Sequence, residues 1–279
     1  MKRAMWIGVL ACLLAATGCG AVQRTEEPKP STVSNEVPKH YGDDTFQPLD
    51  WEEAEISQVT VSRSQSIGEV YPAALGSFVN AEDLALFREA FRSAEKMTGM
   101  LDIGIPEYDL SFADEEGQRG FHLWLGDRPG STGLYTYVNA TGTGYTLSAE
   151  HTDRLREKIR SLAYTREQAI ANGDIVAGLG RKSNLDRWKQ FVESVQEGGA
   201  SGEAHITEYT IEGQPIFRDL IYDGQAIRYT YDNRMDSFGT PTRVTTYCKA
   251  LDQEGTEFSL SKCDSEGLEF RFSTAETEE

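Results

Sequence analysis

Apolar positions along the chain recur with two different periods, and the change between them marks where strands give way to helices. Gln58-Val59-Thr60-Val61-Ser62 alternates with a period of two, as a half-buried strand does. From Asn80 or Ala81 the spacing lengthens. Leu84, Phe87, Phe91 and Ala94 recur at helical intervals, with the acids Glu82 and Asp83 in the first turn. Two hairpin patterns follow. Tyr108 to Phe112 and Phe121 to Leu125 flank Asp114-Glu115-Glu116-Gly117, while Leu134 to Val138 and Tyr145 to Leu147 flank Asn139-Ala140-Thr141-Gly142. Ser148 then caps a helix that carries Leu155, Ile159 and Leu162 on one face.

The same alternation of periods begins again near Thr165. Thr165-Arg166-Glu167-Gln168 has the form of a capping box, and its helix stops at Asn172-Gly173. A further helix starts at Asn184, aligns Leu185, Trp188, Val192 and Val195, and ends at Gly198-Gly199. The remainder alternates as strands: His205 to Ile211, Pro215 to Tyr222, Gln225 to Asp232, Thr242 to Leu251, Glu257 to Lys262 and Leu268 to Ser273. The turns Glu212-Gly213 and Asp223-Gly224 join the first three into a meander. The pattern predicts an α+β protein of two small domains, each an antiparallel sheet with helices packed on one face. The first is expected over 55–163 and the second over 164–274, with an acidic, frayed tail at 275–279.

The first 54 residues carry neither period of a folded element. Lys2 and Arg3 precede an apolar run from Met5 to Ala16, then Thr17-Gly18 and Cys19. This is the layout of a secretory signal, too short to span a bilayer as a helix of roughly 20 residues. A cysteine directly after the small pair resembles a bacterial lipobox, with Ala16 where Leu is more usual. Residues 1–18 are therefore expected to be a signal peptide and Cys19 the lipidated first residue of the mature protein, held on the extracytoplasmic face of the cell membrane. Cys12, after Leu10-Ala11, is a second candidate with a shorter apolar run. Two or three acyl chains, at ~0.8 kcal/mol per buried methylene, make a durable anchor. Residues 19–54 hold four prolines among Glu, Lys, Ser and Thr, which predicts a disordered tether spanning ~30 Å.

Charge narrows the partners. The net charge is −18, and cleavage before Cys19 would remove two bases and no acid, leaving −20. Nucleic acid and anionic lipid surfaces repel such a chain, so neither is expected as a partner beyond the lipid anchor itself. With Cys19 lipidated, Cys248 and Cys263 remain as an even pair in an oxidising compartment. They flank a strand-turn-strand pattern around Glu254-Gly255, where a disulfide would contribute ~3 kcal/mol on the chain-entropy model. Two free thiols are the alternative.

Chemistry-bearing motifs are sparse. His40 falls in the tether, His122 and His205 in strands, and His151 on a helix with Leu155, not a second ligand, one turn on. No His-Glu-x-x-His, paired CxxC, glycine-rich phosphate loop or Gly-x-Ser-x-Gly is present, and no cofactor is expected. Carboxylates are abundant, but a catalytic pair is defined by separation in space. Asp232, Asn233 and Asp236 bring oxygen ligands close together as a weak Ca²⁺ loop would, without EF-hand spacing; Asx turns use the same residues. Tyr229 and Tyr231 share a strand face with Ile227, opposite Arg228, Thr230 and Asp232. They read as core under the helices, or alternatively as an aromatic surface for a peptide or glycan.

Two resemblances rest on runs of short motifs. Ala171 to Val176, Asn184-Leu185, Trp188, Phe191, Tyr209 to Gly213, Asp219 to Gly224, Tyr229 to Asn233 and Phe238-Gly239 make the second unit similar to an uncharacterised lipoprotein family of Gram-positive bacteria, domain of unknown function 4362. Pro106-Glu107-Tyr108-Asp109 and Phe121-His122-Leu123-Trp124-Leu125 make the first unit resemble the YhfM-like domain of similar lipoproteins. Both imply a location and a domain plan, and neither implies an activity. The expectation is a non-catalytic binding protein that meets an envelope or extracellular protein or glycan. A carboxylate-based envelope hydrolase and an extracellular calcium-binding module are the alternatives.

Overall fold

A computed structural model describes residues 48–275, except Met100, Leu179, Gly180, Gly199 and Glu266. The expected signal peptide, Cys19, His40, most of the tether and residues 276–279 of the tail lie outside the described residues. The end of the expected tether proves to be folded. Leu49 is buried and its N–H donates to the Tyr137 hydroxyl, while the Trp51 ring packs within 5.8 Å of Phe91, Phe112 and Phe121. Prolines and charges around these two residues mask an aromatic anchor that makes no periodic pattern.

The first half is built on seven strands: β1 (Gln58–Arg63), β2 (Ala74–Phe78), β3 (Glu95–Lys96), β4 (Tyr108–Asp114), β5 (Gly117–Trp124), β6 (Leu134–Tyr137) and β7 (Ala140–Thr146). They form one antiparallel sheet in the order β2-β1-β4-β5-β6-β7-β3. Helices α1 (Ala81–Arg92) and α2 (Ala149–Arg160) are N-capped by Asn80 and Ser148, whose side chains accept the Asp83 and His151 N–H groups. Their buried Phe87, Phe91, Leu155 and Ile159 meet Val59, Val61, Leu110, Phe112 and Phe121 of the sheet.

The second half contains α3 (Arg166–Asn172), β8 (Ile175–Gly178), α4 (Leu185–Glu197), β9 (Gly202–Tyr209), β10 (Pro215–Tyr222), β11 (Ile227–Asp232), β12 (Arg243–Glu254), β13 (Glu257–Cys263) and β14 (Arg271–Ser273). Its sheet runs β14-β13-β12-β11-β10-β9-β8. Strand β8, which has no sequence signature, pairs parallel to β9 and makes this sheet mixed where a wholly antiparallel one was expected. The parallel arrangement follows from α4, which carries the chain over the sheet between the two strands. Trp188 and Phe191 of α4 cover Ala204, Ile206, Leu220 and Tyr229. Cys248 and Cys263 stand directly opposite one another on β12 and β13 and are joined as a disulfide.

Helix α3 stops at Gly173, whose φ of 89° only glycine adopts without strain. Before stopping it reaches the first half: Gln168 Nε2 donates to the Ala74 and Leu75 carbonyls, and Asn172 Nδ2 to Ala74. These side chains occupy the outer edge of β2, which would otherwise be open to pairing with another chain. The first hydrophobic cluster likewise continues past residue 163 to take in Tyr164, Ala169, Val176, Phe217 and Met235. Among the described residues no helix is long and apolar enough to cross a membrane.

Candidate functional site

With one face of each sheet under helices, strand alternation directs the other face's polar side chains away from them. In the first sheet Ser62, Asp109, His122 and Thr136 form one cross-strand row over β1, β4, β5 and β6, all buried. In the second sheet His205, Asp219 and Thr230 form a row over β9, β10 and β11, again buried. Each row holds one Asp–His pair on neighbouring strands. His122 Nδ1 lies 2.7 Å from Asp109 Oδ1, and His205 Nδ1 lies 2.8 Å from Asp219 Oδ1.

The segment leaving β1 stitches the two rows together. Arg63 Nη1 donates to both oxygens of Asp219 at 2.6 Å, and Gln65 Nε2 adds a bond of 3.3 Å to the same carboxylate. Arg228 Nη2 returns to the Gln65 carbonyl. Gly68 N–H donates to His122 Nε2 at 2.9 Å, and Tyr71 N–H to Asp109 Oδ2 at 2.8 Å. The Tyr71 ring sits 5.1 Å from the His205 ring. Behind Arg63 lie Asp174, at 3.6 Å, and the Phe217 ring, at 4.1 Å. Asp174 in turn accepts from the Tyr164 and Thr207 hydroxyls. At the other end of the same contact, Arg234 holds Asp232 of its own half and Glu107 and Asp127 of the first.

The two histidines are engaged differently. Because a backbone N–H donates to His122 Nε2, the ring proton sits on Nδ1 and is given to Asp109. Burial raises the Asp109 pKa, only partly countered by this bond. Burial also opposes charge on His205, but Asp219 and Glu203 outweigh it and raise its pKa to about 9. Asp219, despite burial, is held well below the usual carboxylate range by Arg63 and His205. His205 Nε2 lies 3.5 Å from Glu203 Oε2 as an ion pair without a hydrogen bond. The seam is thus a set of paired buried charges, with only the His205 Nε2 among these charged groups left without a hydrogen bond, and it clamps the halves together.

Among the open concavities that the described residues form, two are the larger. One, of about 540 Å³, is lined by Asp50, Glu53, Glu55, Asp114, Glu115 and Glu116, with Arg119 bound to Asp114 and Glu116. The other, of about 660 Å³, lies where the halves join, between the 160–166 connection and the β9–β10 turn. Its wall includes Leu162, Tyr164, Tyr209, Ile211, Pro215 and Met235.

Of the residues singled out from sequence, Cys248 and Cys263 are joined, and Cys19 lies outside the described residues. The Asp232, Asn233 and Asp236 oxygens serve the loop itself. Asp232 takes three bonds from Arg234, Asn233 Oδ1 accepts Thr242 N–H, and Asp236 Oδ1 accepts Phe238 N–H. Among the described residues no group of three His, Cys, Asp or Glu side chains could hold a metal ion. Tyr229 is buried under α4 and Tyr231 half-buried beside it, so the core reading holds for the first and largely for the second. The Asp219–His205–Arg63 cluster escaped the sequence reading. Its signal was an acid, Asp219, in a strand that is apolar except for it and Arg218.

The architecture defines a two-sheet α+β protein whose halves are locked by buried charge. Comparison with known families divides it at the same place: residues 52–163 match the family described as YhfM protein, and residues 172–260 match a domain of unknown function, DUF4362. The order agrees with the resemblances read from sequence. No curated protein and no solved structure matches the chain.

Proposed function

We propose that this is a lipid-anchored protein of a Gram-positive bacterium, held through Cys19 on the outer face of the membrane, that binds an envelope or extracellular ligand without transforming it. The observation that carries the reading is the contrast between the seam and the surface. The His–Asp pairs, the groups best suited to proton transfer, are buried: both ring nitrogens of His122 are hydrogen-bonded inside the protein, and His205 gives Nδ1 to Asp219 and has its Nε2 shielded from solvent. The joining groove instead offers apolar side chains to solvent. The lipobox-like Ala16 to Cys19 supports the address.

The address is tested by Cys19→Ser, which is expected to shift the protein from the membrane fraction to the soluble one; unchanged membrane association would sink it. The task is tested by retention of an envelope component on the immobilised, lipid-free protein at physiological salt. Turnover of purified peptidoglycan by the same preparation would replace the binding reading with a hydrolase.

A further inference from the structure

We infer that the groove at the junction of the halves is a docking site for an extended peptide segment in which apolar side chains flank an acidic one. The inference rests on the binding reading above and gives it a place and a ligand class.

Shape and composition come first. The groove floor is apolar, with Tyr164 and Met235 buried, and Tyr209 half-buried with its hydroxyl on the Tyr164 carbonyl. Its rim carries Ile211, which is 82 % exposed, and the adjoining loop presents Phe238, which is 77 % exposed. Lone exposed apolar residues need no explanation, but two of this size beside one apolar concavity do. Their loops are tied to one another: Gln214 Nε2 donates to Ser237 Oγ at 2.7 Å, and Ser237 N–H donates to Gln214 Oε1 at 2.8 Å. The two apolar prongs are therefore held in place before any ligand arrives, which lowers the ordering cost of binding.

Charge selects the occupant. The chain has 45 Asp and Glu against 27 Lys and Arg, yet the groove lining contains Arg160 and Arg166 and no carboxylate. The Arg160 Nη2 is bound to Asp127, and the side chain is 19 % exposed at the groove. A guanidinium beside an apolar lining is met best by an anionic acceptor. Polar groups also interrupt the apolar lining at Ser161, Thr210 and Gln214, with the Gln214 amide already committed to Ser237 and Ser161 Oγ to the Lys158 carbonyl. That mixture suits a polypeptide, with its own backbone donors and acceptors, better than an acyl chain.

The probe is N-acetylated, C-amidated Leu-Asp-Leu, with Leu-Asn-Leu and Ser-Asp-Ser as controls, titrated against the full chain by saturation-transfer NMR. Leu-Asp-Leu is expected to bind in preference to both controls. Ile211→Ser, at a position too exposed to affect folding, is expected to weaken it about fivefold or more. Arg160→Gln is expected to erase the preference for Asp over Asn. The inference is overturned if Leu-Asp-Leu fails to bind at millimolar concentration, if Leu-Asn-Leu binds equally, if Ile211→Ser changes nothing, or if oleate occupies the groove and displaces the peptide. Should the peptide fail while the immobilised protein still retains an envelope component, the groove assignment falls and the binding reading stands.

Discussion

Asp219 is surrounded by more charge than any sequence motif announced. Its carboxylate receives Arg63, His205 and Gln65, brought from β1, from β9 and from the segment after β1. Buried ion pairs of this kind add little net stability over a well-packed apolar core, but they are costly to break singly. They also make stability depend on pH. His205, with a pKa raised to about 9 against about 6.5 in an unfolded chain, adds stability that is complete below pH ~6.5 and disappears as pH rises through ~9. Asp219, held low, adds stability that is present above pH ~4 and is lost only in stronger acid. The clamp is therefore strongest between roughly pH 4 and 6.5. Calorimetric melting should show Tm falling by about 5 °C or more between pH 6.5 and 9. His205→Gln should flatten that slope, and a wild-type Tm that is level over this range would contradict the charge state. Alternation in Pro215 to Tyr222 puts Asp219 on one face with the apolar Pro215, Phe217 and Ile221, so the pattern gives it no distinct environment. Whether that face meets water or another sheet is a tertiary matter, so the partner set was not legible.

At the scale of elements, what could be read was what repeats or is punctuated. The helices with Asn80, Ser148 and Thr165 caps and the Gly173 stop stand where periodicity and capping placed them, whereas the hairpins are tighter than expected, with β7 already begun at Ala140 and β5 at Gly117. Short elements without a period did not show. Strand β8 exists because β9 offers it an edge, and β2 because β1 does. Asn184 is instructive, because it precedes α4 as expected but makes no side-chain cap. It is left-handed, and its amide donates instead to the Ile170 and Asp174 carbonyls, tying the helix start to the end of α3. The β12–β13 ribbon has its own staple. With Cys248 and Cys263 separated by 15 positions, their bond should contribute ~3 kcal/mol by restricting the unfolded chain. Urea denaturation with and without reductant, or of Cys248→Ser/Cys263→Ser, should show a loss near that size. An unchanged midpoint would mean that the ribbon is held by its ladder alone.

For the whole molecule, the two family matches meet at a contact that is rich in buried, paired charge. Arg63, Arg228, Arg234 and Arg243 each bond across it, and α3 closes the β2 edge. Phe217 and Met235 of the second half are packed in the first half's hydrophobic cluster. Expressing 164–275 alone would expose both and leave Asp219 and Asp174 without Arg63. That fragment should melt well below the intact protein or aggregate, and co-expression with 48–163 should restore it, as read by circular dichroism and size exclusion. A fragment as stable as the whole would show the seam to be dispensable.

The sequence by itself determined the longer elements, their apolar faces, the address-like N-terminus and the cysteine pair, because these depend on local spacing along the chain. The tertiary structure alone decided which polar faces would be buried together, that Leu49 and Trp51 join the core, and that a groove lies where the halves meet. Those outcomes depend on surfaces far apart in sequence, and the physical reason is plain: a buried charge is tolerable only beside its partner, and the partner's position is a property of the fold.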